Sequence, residues 1–257
     1  MGKVYLIGAG PGDPELLTLK AARLLAQANV VLHDALVSRE VLAKVSSSAE
    51  VIDVGKRYGK KLLTQDEINA LLLTYAASHE IVVRLKGGDP SIFGRAGEEL
   101  EALRNAHVEF EVVPGVTAAL AAAAASGISL TDRRVASQVL LTTFSRGLDA
   151  NAMDWGCLTP ATTLALYMPG PDYEEVSRRL ADAGLPADLP CVIVSGASGS
   201  QQQVCWSTVG ALATEEKLPA PALMIVGRVA SQQVREIGDS FWRGAHTDSP
   251  SQTVSVS

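Results

Sequence analysis

The chain has 257 residues, with 22 Lys and Arg against 28 Asp and Glu and a formal charge of −6. That length suffices for one large or two modest α/β units with a packed core. The acidic balance excludes a surface given over to gripping nucleic acid, which needs an excess of cations. Cys157, Cys191 and Cys205 are scattered without C-x-x-C spacing, which points to small core residues rather than a disulfide framework or zinc site. His33 and His107 likewise lack ligand spacing, so no metal is expected. No apolar run free of charge and turn residues could span a bilayer, and no basic, apolar leader opens the chain. A cytoplasmic protein without a membrane partner is therefore expected.

Along the first half, short β-branched runs alternate with helical periods, as a parallel sheet with crossover helices requires. Strands are predicted at Lys3 to Ile7, Val30 to His33, Val51 to Val54, Ile81 to Leu85 and Phe110 to Val113. Thr18 to Ala28 repeats Leu and Ala at helical spacing, and Thr64-Gln65-Asp66-Glu67 is a capping-box signature before Ile68, Leu71, Leu72 and Tyr75. After Val113-Pro114-Gly115 comes an alanine-rich helix, Thr117 to Ala125, and then shorter strands with more turns. These fall at Val139 to Thr143, Thr163 to Tyr167, Cys191 to Val194, Val204 to Ser207 and Leu223 to Val226, with a helix at Tyr173 to Ala183 stopped by Gly184 and Pro186. The fold class is thus α/β, with a parallel sheet in a domain over residues 1–115 and a smaller mixed sheet in a domain over 116–238. The Ser-, Thr- and Gln-rich residues 239–257 read as a disordered tail.

Two glycine corners stand out. Gly87-Gly88-Asp89-Pro90 directly follows a buried strand and sets bare backbone and one carboxylate where open α/β sheets bind ligands. Gly8-Ala9-Gly10-Pro11-Gly12-Asp13-Pro14 follows the first strand but fails as a dinucleotide fingerprint. Asp13 stands where the third Gly is needed, Pro11 lacks an N–H, and a carboxylate repels pyrophosphate. Asp34, after the second strand, could still imitate the ribose-binding acid of that motif, which keeps a nicotinamide or flavin cofactor as an alternative. Each loop alone could be no more than a tight turn; two at the carboxyl ends of strands in one sheet favour a shared ligand.

Those residues also carry a resemblance. Val4 to Pro14, Leu17 to Ala22, Asp34-Ala35-Leu36-Val37-Ser38, Gly55-Lys56-Arg57, Gln65 to Asn69, Val83 to Arg95 and Val113 to Ala119 stand in the order and spacing of the uroporphyrinogen-III C-methyltransferases. These form a branch of the S-adenosylmethionine-dependent tetrapyrrole methylase family, and the similarity runs from about Val4 to Val229. The resemblance implies two α/β domains with the active site in the cleft between them, usually a homodimer, and a small-molecule tetrapyrrole substrate methylated twice to precorrin-2 for sirohaem or cobalamin-type products. It assigns the donor S-adenosylmethionine, and its product S-adenosylhomocysteine, to Pro11, Gly87, Gly88, Asp89, Ile92, Thr117, Ala118, Met168 and Ala197. It makes Asp34 a proton acceptor, Lys56 a proton donor and Arg95 a further catalytic candidate, with Arg57, Glu98 and Arg133 binding substrate.

Plainer readings stand beside these roles. Asp34 alone would serve as a helix N-cap, Lys56 as a solvated loop charge, Met168 as core filling, and Arg95 with Glu98 as an intrahelical pair. A polyanionic substrate on an acidic protein needs local positive charge, available in Lys56, Arg57, Lys60, Lys61, Arg95, Arg133 and Arg134. The chain departs from the family pattern at His33 for Tyr, Lys61 for His, Asp132 for the His of Thr-His-Arg, Phe144-Ser145 for Gly-His, and Gly196-Ala197-Ser198 for Asn-Gly-Thr. Asp132 puts negative charge where an anionic substrate is expected. These departures leave two alternatives, a methyltransferase for a later precorrin and a donor-binding module without activity.

Overall fold

The computed structural model describes residues 2–55, 63–144 and 155–231. The expected tail and the cluster of Lys56, Arg57, Lys60 and Lys61 lie outside the described residues. The described residues form two compact units, one within 1–122, 194–203 and 218–223, the other within 123–193, 204–217 and 224–257.

The first unit is built on β1 (Lys3–Gly8), β2 (Val30–His33), β3 (Glu50–Asp53), β4 (Ile81–Lys86) and β5 (Phe110–Val113). They form one sheet in the order β3-β2-β4-β1-β5, every pairing parallel. A parallel sheet buries both faces, so its strands carry near-continuous apolar runs, and β2 and residues 82–86 of β4 are wholly buried. One face, with Val31, Val83 and Leu85, packs on Ala21, Leu24 and Leu25 of α1 (Leu19–Gln27) and Val41 of α2 (Arg39–Leu42). The other, with Val4, Leu32 and Val82, packs on Ile68, Leu72 and Ala76 of α3 (Gln65–Ser78) and Ala96 and Leu103 of α4 (Ala96–Asn105). Caps set the helix starts. Thr18 Oγ1 accepts the Ala21 amide, and at α3 both bonds of the capping box form, Glu67 N–H to Thr64 Oγ1 at 3.2 Å and Thr64 N–H to Glu67 Oε2 at 2.7 Å.

Connections after β1 and β4 diverge. The chain leaves β1 for β2 on one side and β4 for β5 on the other, so these neighbouring strands bound the switch point of the sheet. The helix α5 (Ala118–Ala125) follows β5.

The second sheet is mixed, with β6 (Gln138–Thr143), β7 (Thr162–Tyr167), β8 (Pro190–Ser195), β9 (Gln203–Thr208) and β10 (Ala222–Val226) in the order β6-β7-β10-β8-β9. β6 and β7 pair in parallel. The amphipathic helix α6 (Tyr173–Asp182) is capped by Asp172, which accepts the Glu175 amide, and buries Tyr173, Val176 and Leu180. The expectation for the cysteines holds for one. Cys191 is buried in β8, where the loss of water pushes its thiol up to about 12, whereas Cys205 is half-buried and Cys157 exposed. The run Trp155–Cys157 is a single turn outside both sheets, so it gives Cys157 no core to enter.

Candidate active site

All four loops of interest in the first unit leave the carboxyl ends of parallel strands and so share one rim. Gly8 ends β1 opposite Lys86. A Cβ on Gly8 would lie 2.6 Å from the Gly115 nitrogen and 2.6 Å from the Gly88 carbonyl oxygen, so bare backbone alone lets three chains converge. One step further out, the Gly10 N–H donates to Gly88 O at 3.2 Å and the Gly88 N–H to Gly10 O at 2.8 Å. Gly88 holds φ +66°, and a Cβ there would still be 3.8 Å from the Ala118 nitrogen and Thr117 Cα. The two glycine corners are one structure, with Thr117 and Ala118 alongside.

Asp89 braces this corner. Its Oδ1 accepts the Ser91 amide at 2.8 Å and the Ser91 hydroxyl, while its Oδ2 accepts the Gly115 amide at 2.9 Å. Burial tends to raise its pKa, but these bonds outweigh it and leave the carboxyl below its ordinary 3.8. Ile92 belongs to the same turn, its amide donating to Asp89 O at 3.2 Å. The Gly10 to Asp13 loop is held from both sides. Ser38 Oγ donates to Gly12 O at 2.6 Å, and the Asp13 N–H donates to Ser198 Oγ at 3.3 Å. Ser198, one of the departures from the family pattern, thereby sets Ala197 beside the loop that carries Pro11.

Asp34 is not the helix cap that its position after β2 allows. Ser38 caps α2, accepting the Val41 amide at 3.1 Å. The Asp34 carboxylate instead takes a bond from the Arg84 guanidinium, Asp34 being 30% exposed and Arg84 only 3%. Arg84 Nε donates to Glu99 Oε1 at 2.9 Å, and Lys86 Nζ to the same carboxylate at 2.8 and 2.9 Å. Two buried cations and two carboxylates thus form a neutral chain, an arrangement that offsets the cost of burying charge. Desolvation first, then the neighbouring Arg84, lower the Lys86 pKa from its ordinary 10.5. Arg84, Lys86 and Glu99 were missed as site residues. The available signal was an Arg and a Lys two apart in an otherwise apolar strand, which buried polar groups tolerate only with partners.

Arg95 and Glu98 form the exposed pair, at 2.8 and 2.6 Å, that their spacing also allowed. Arg95 sits at φ +55° as the first residue before α4, an uncommon conformation for a side chain of its size. In the second unit Asp132 is bound by its neighbour, with Arg134 Nε at 2.9 Å and its terminal nitrogen at 2.6 Å. That guanidinium pulls the Asp132 pKa down to about 2 and cancels the negative charge, leaving Arg133 exposed beside it. Met168 is 49% exposed, at φ +49°, so it is not core filling. Lys56 and Arg57 lie outside the described residues.

The corner is ill suited to pyrophosphate. The Gly10 and Gly88 amides engage each other, Pro11 has none, and the carboxylates of Asp13 and Asp89 flank the turn. Asp13 Oδ1 is moreover taken by the Glu15 amide at 2.8 Å. An acid-lined backbone cradle with apolar neighbours fits a cationic ligand bearing hydroxyls, as an adenosyl sulfonium does.

The model of the Tetrapyrrole (Corrin/Porphyrin) Methylases matches residues 3–213. A uroporphyrinogen-III C-methyltransferase of Paracoccus denitrificans is 49% identical over 236 residues, covering 90% of this chain and 82% of that protein. A siroheme synthase of a Psychrobacter species is 44% identical over 96% of this chain, which spans 50% of that longer protein. A uroporphyrin-III C-methyltransferase from Thermus thermophilus, solved in complex with S-adenyl homocysteine, superposes with a TM-score of 0.77 at 40% identity, covering 89% of this chain and 98% of that one. The family model and these relatives cover most of the chain, and the chain belongs to the tetrapyrrole methylase family.

Proposed function

We propose that the protein is an S-adenosylmethionine-dependent uroporphyrinogen-III C-methyltransferase that acts twice on its substrate to give precorrin-2, for sirohaem or cobalamin-type tetrapyrroles. It works in the cytoplasm and, as the resemblance implies, as a homodimer. The observation that carries the reading is the convergence of Gly8, Gly88 and Gly115 into a cradle with no side chain between the strands. As the resemblance assigns them, Pro11, Gly87, Gly88, Asp89, Ile92, Thr117, Ala118, Met168 and Ala197 hold the donor, Met168 through soft apolar contact to its adenine.

S-adenosylmethionine, when bound, supplies the electrophilic methyl group. What the chain adds is orientation and proton handling. The Asp34 carboxylate takes the proton that leaves the methylated ring, and Lys56 is the proton donor. Arg95, aimed by Glu98, together with Arg57 and Arg133, holds substrate carboxylates through charge-assisted bonds of about 1.5–3 kcal/mol each. Anaerobic incubation of the purified protein with donor and uroporphyrinogen III should yield a dimethylated product. Donor binding without turnover would sink the reading in favour of a binding module, and turnover on precorrin-2 alone would move it downstream.

Asp89→Ala should weaken S-adenosylhomocysteine binding about tenfold in calorimetry, since it frees the Gly115 amide and loosens two loops at once. Asp89→Asn, which keeps an acceptor, should lose less. Because the folded carboxyl titrates below its ordinary 3.8, the brace stabilises at every pH above that value and is lost as pH falls through the lower folded one. Donor affinity unchanged in Asp89→Ala would refute the bracing role.

A further inference from the structure

The chain Asp34–Arg84–Glu99–Lys86 lies within the first unit, and three of its members have almost no contact with water. Burying two cations and a carboxylate is costly, and replacing such groups by apolar residues is often neutral or stabilising, so stability alone is a weak reason to keep them. Three features point elsewhere. The buried end is anchored on two sides, Glu99 holding Lys86 through both oxygens and Arg84 through one, with Gln65 Nε2 adding a bond at 3.4 Å. Arg84 is pinned further by the carbonyls of Leu32 at 3.4 Å and Leu85 at 3.2 Å, both strand backbone. Of the four groups only Asp34 reaches solvent, and it sits at the mouth of β2, on the rim where the loops of the glycine corner also begin. The rest of the chain is a buried stalk ending on one oxygen of the half-buried Asp34 carboxylate.

We infer that Arg84 is a positioning residue, with Glu99 and Lys86 as its buried anchor, that fixes the orientation of the Asp34 carboxylate for proton transfer. The inference rests on the proposed role of Asp34 as proton acceptor. A planar guanidinium held at Nε by Glu99 presents a terminal nitrogen to Asp34 in one direction only, leaving the other carboxylate oxygen to meet the substrate. Lys at this position would be a point charge on a flexible stem, unable to bridge two carboxylates in fixed geometry.

The test uses the full chain, with S-adenosylhomocysteine binding, melting midpoint and anaerobic steady-state kinetics measured for Arg84→Met, Asp34→Asn and the double variant. Arg84→Met leaves the Lys86–Glu99 pair intact. Its kcat should fall at least about tenfold while KM and S-adenosylhomocysteine affinity stay within about threefold, a split that a merely structural role would not produce. In the Asp34→Asn background the same substitution should cause no further loss of kcat, because it acts through Asp34. Should Arg84→Met not fold, Arg84→Lys carries the test, with kcat again expected to fall about tenfold at unchanged donor affinity. Wild-type kcat in a folded Arg84 variant, or independent losses in the double variant, would overturn the inference while leaving Asp34 as acceptor. Wild-type kcat in Asp34→Asn would remove the acceptor role and the inference with it.

Discussion

Asp34→Asn lowers kcat by about 10²–10⁴-fold, the range that a general base supplies, and leaves S-adenosylhomocysteine binding near wild type. The amide has the size of the carboxylate and still offers Arg84 an acceptor, so the side chain stays in place and only its capacity to take a proton is lost. A second consequence separates this site from an ordinary surface acid. With Asp34 neutral, Arg84 and Lys86 share the single carboxylate of Glu99 among buried groups, so the melting midpoint should drop as well. Anaerobic kinetics and a melting curve on the same preparation check both. Full activity in the variant would dismiss Asp34 as the acceptor.

Gly8→Ala should abolish measurable donor binding. The new methyl group would press on the Gly115 amide and the Gly88 carbonyl, both at 2.6 Å and both backbone, which no rotamer change can relieve. Three adjoining loops must then separate, at a cost of about 1–3 kcal/mol in stability for overpacking. The separation breaks the geometry of the Gly10–Gly88 exchange and pulls Gly115 away from Asp89. Calorimetry with S-adenosylhomocysteine reads the loss, and circular dichroism reports that the sheet persists. Gly97→Ala is the control. It lies in α4 with nothing within 4 Å of a new Cβ, and should bind the donor as wild type does. Normal affinity in Gly8→Ala would mean that the donor lies elsewhere.

Much of the fold was legible because its signals are local. The capping box at Thr64 and Glu67 announces the start of α3, and β2, three apolar residues and His33, has nearly the composition of a strand buried on both faces. Short α2 carries too few residues for a periodic pattern, and where the sequence suggested Asp34 as its cap Ser38 serves. The glycine corner was legible as two separate turns with a common function. That they interlock through Gly10 and Gly88, and that Asp89 binds Gly115 rather than standing open, was not, because three strands and three α-helices separate Gly10 from Gly88, and α4 and β5 separate Asp89 from Gly115.

By itself, the sequence determined the strands, most of the helices, the capping box that starts α3 and the identity of the glycine loops, which depend on residues within a few positions of one another, and the family, which rests on the order and spacing of such short motifs. Only the tertiary structure decided the partners of the charges: Asp34 with Arg84, 50 residues apart, and Arg84 and Lys86 with Glu99. Those pairings follow from the strand order β3-β2-β4-β1-β5, which sets β4 beside β2 and brings α4 over the face that carries Arg84 and Lys86. No period in the sequence encodes which strands are neighbours; burial of both faces of the sheet selects that arrangement, and the buried charges must then find one another because water cannot reach them.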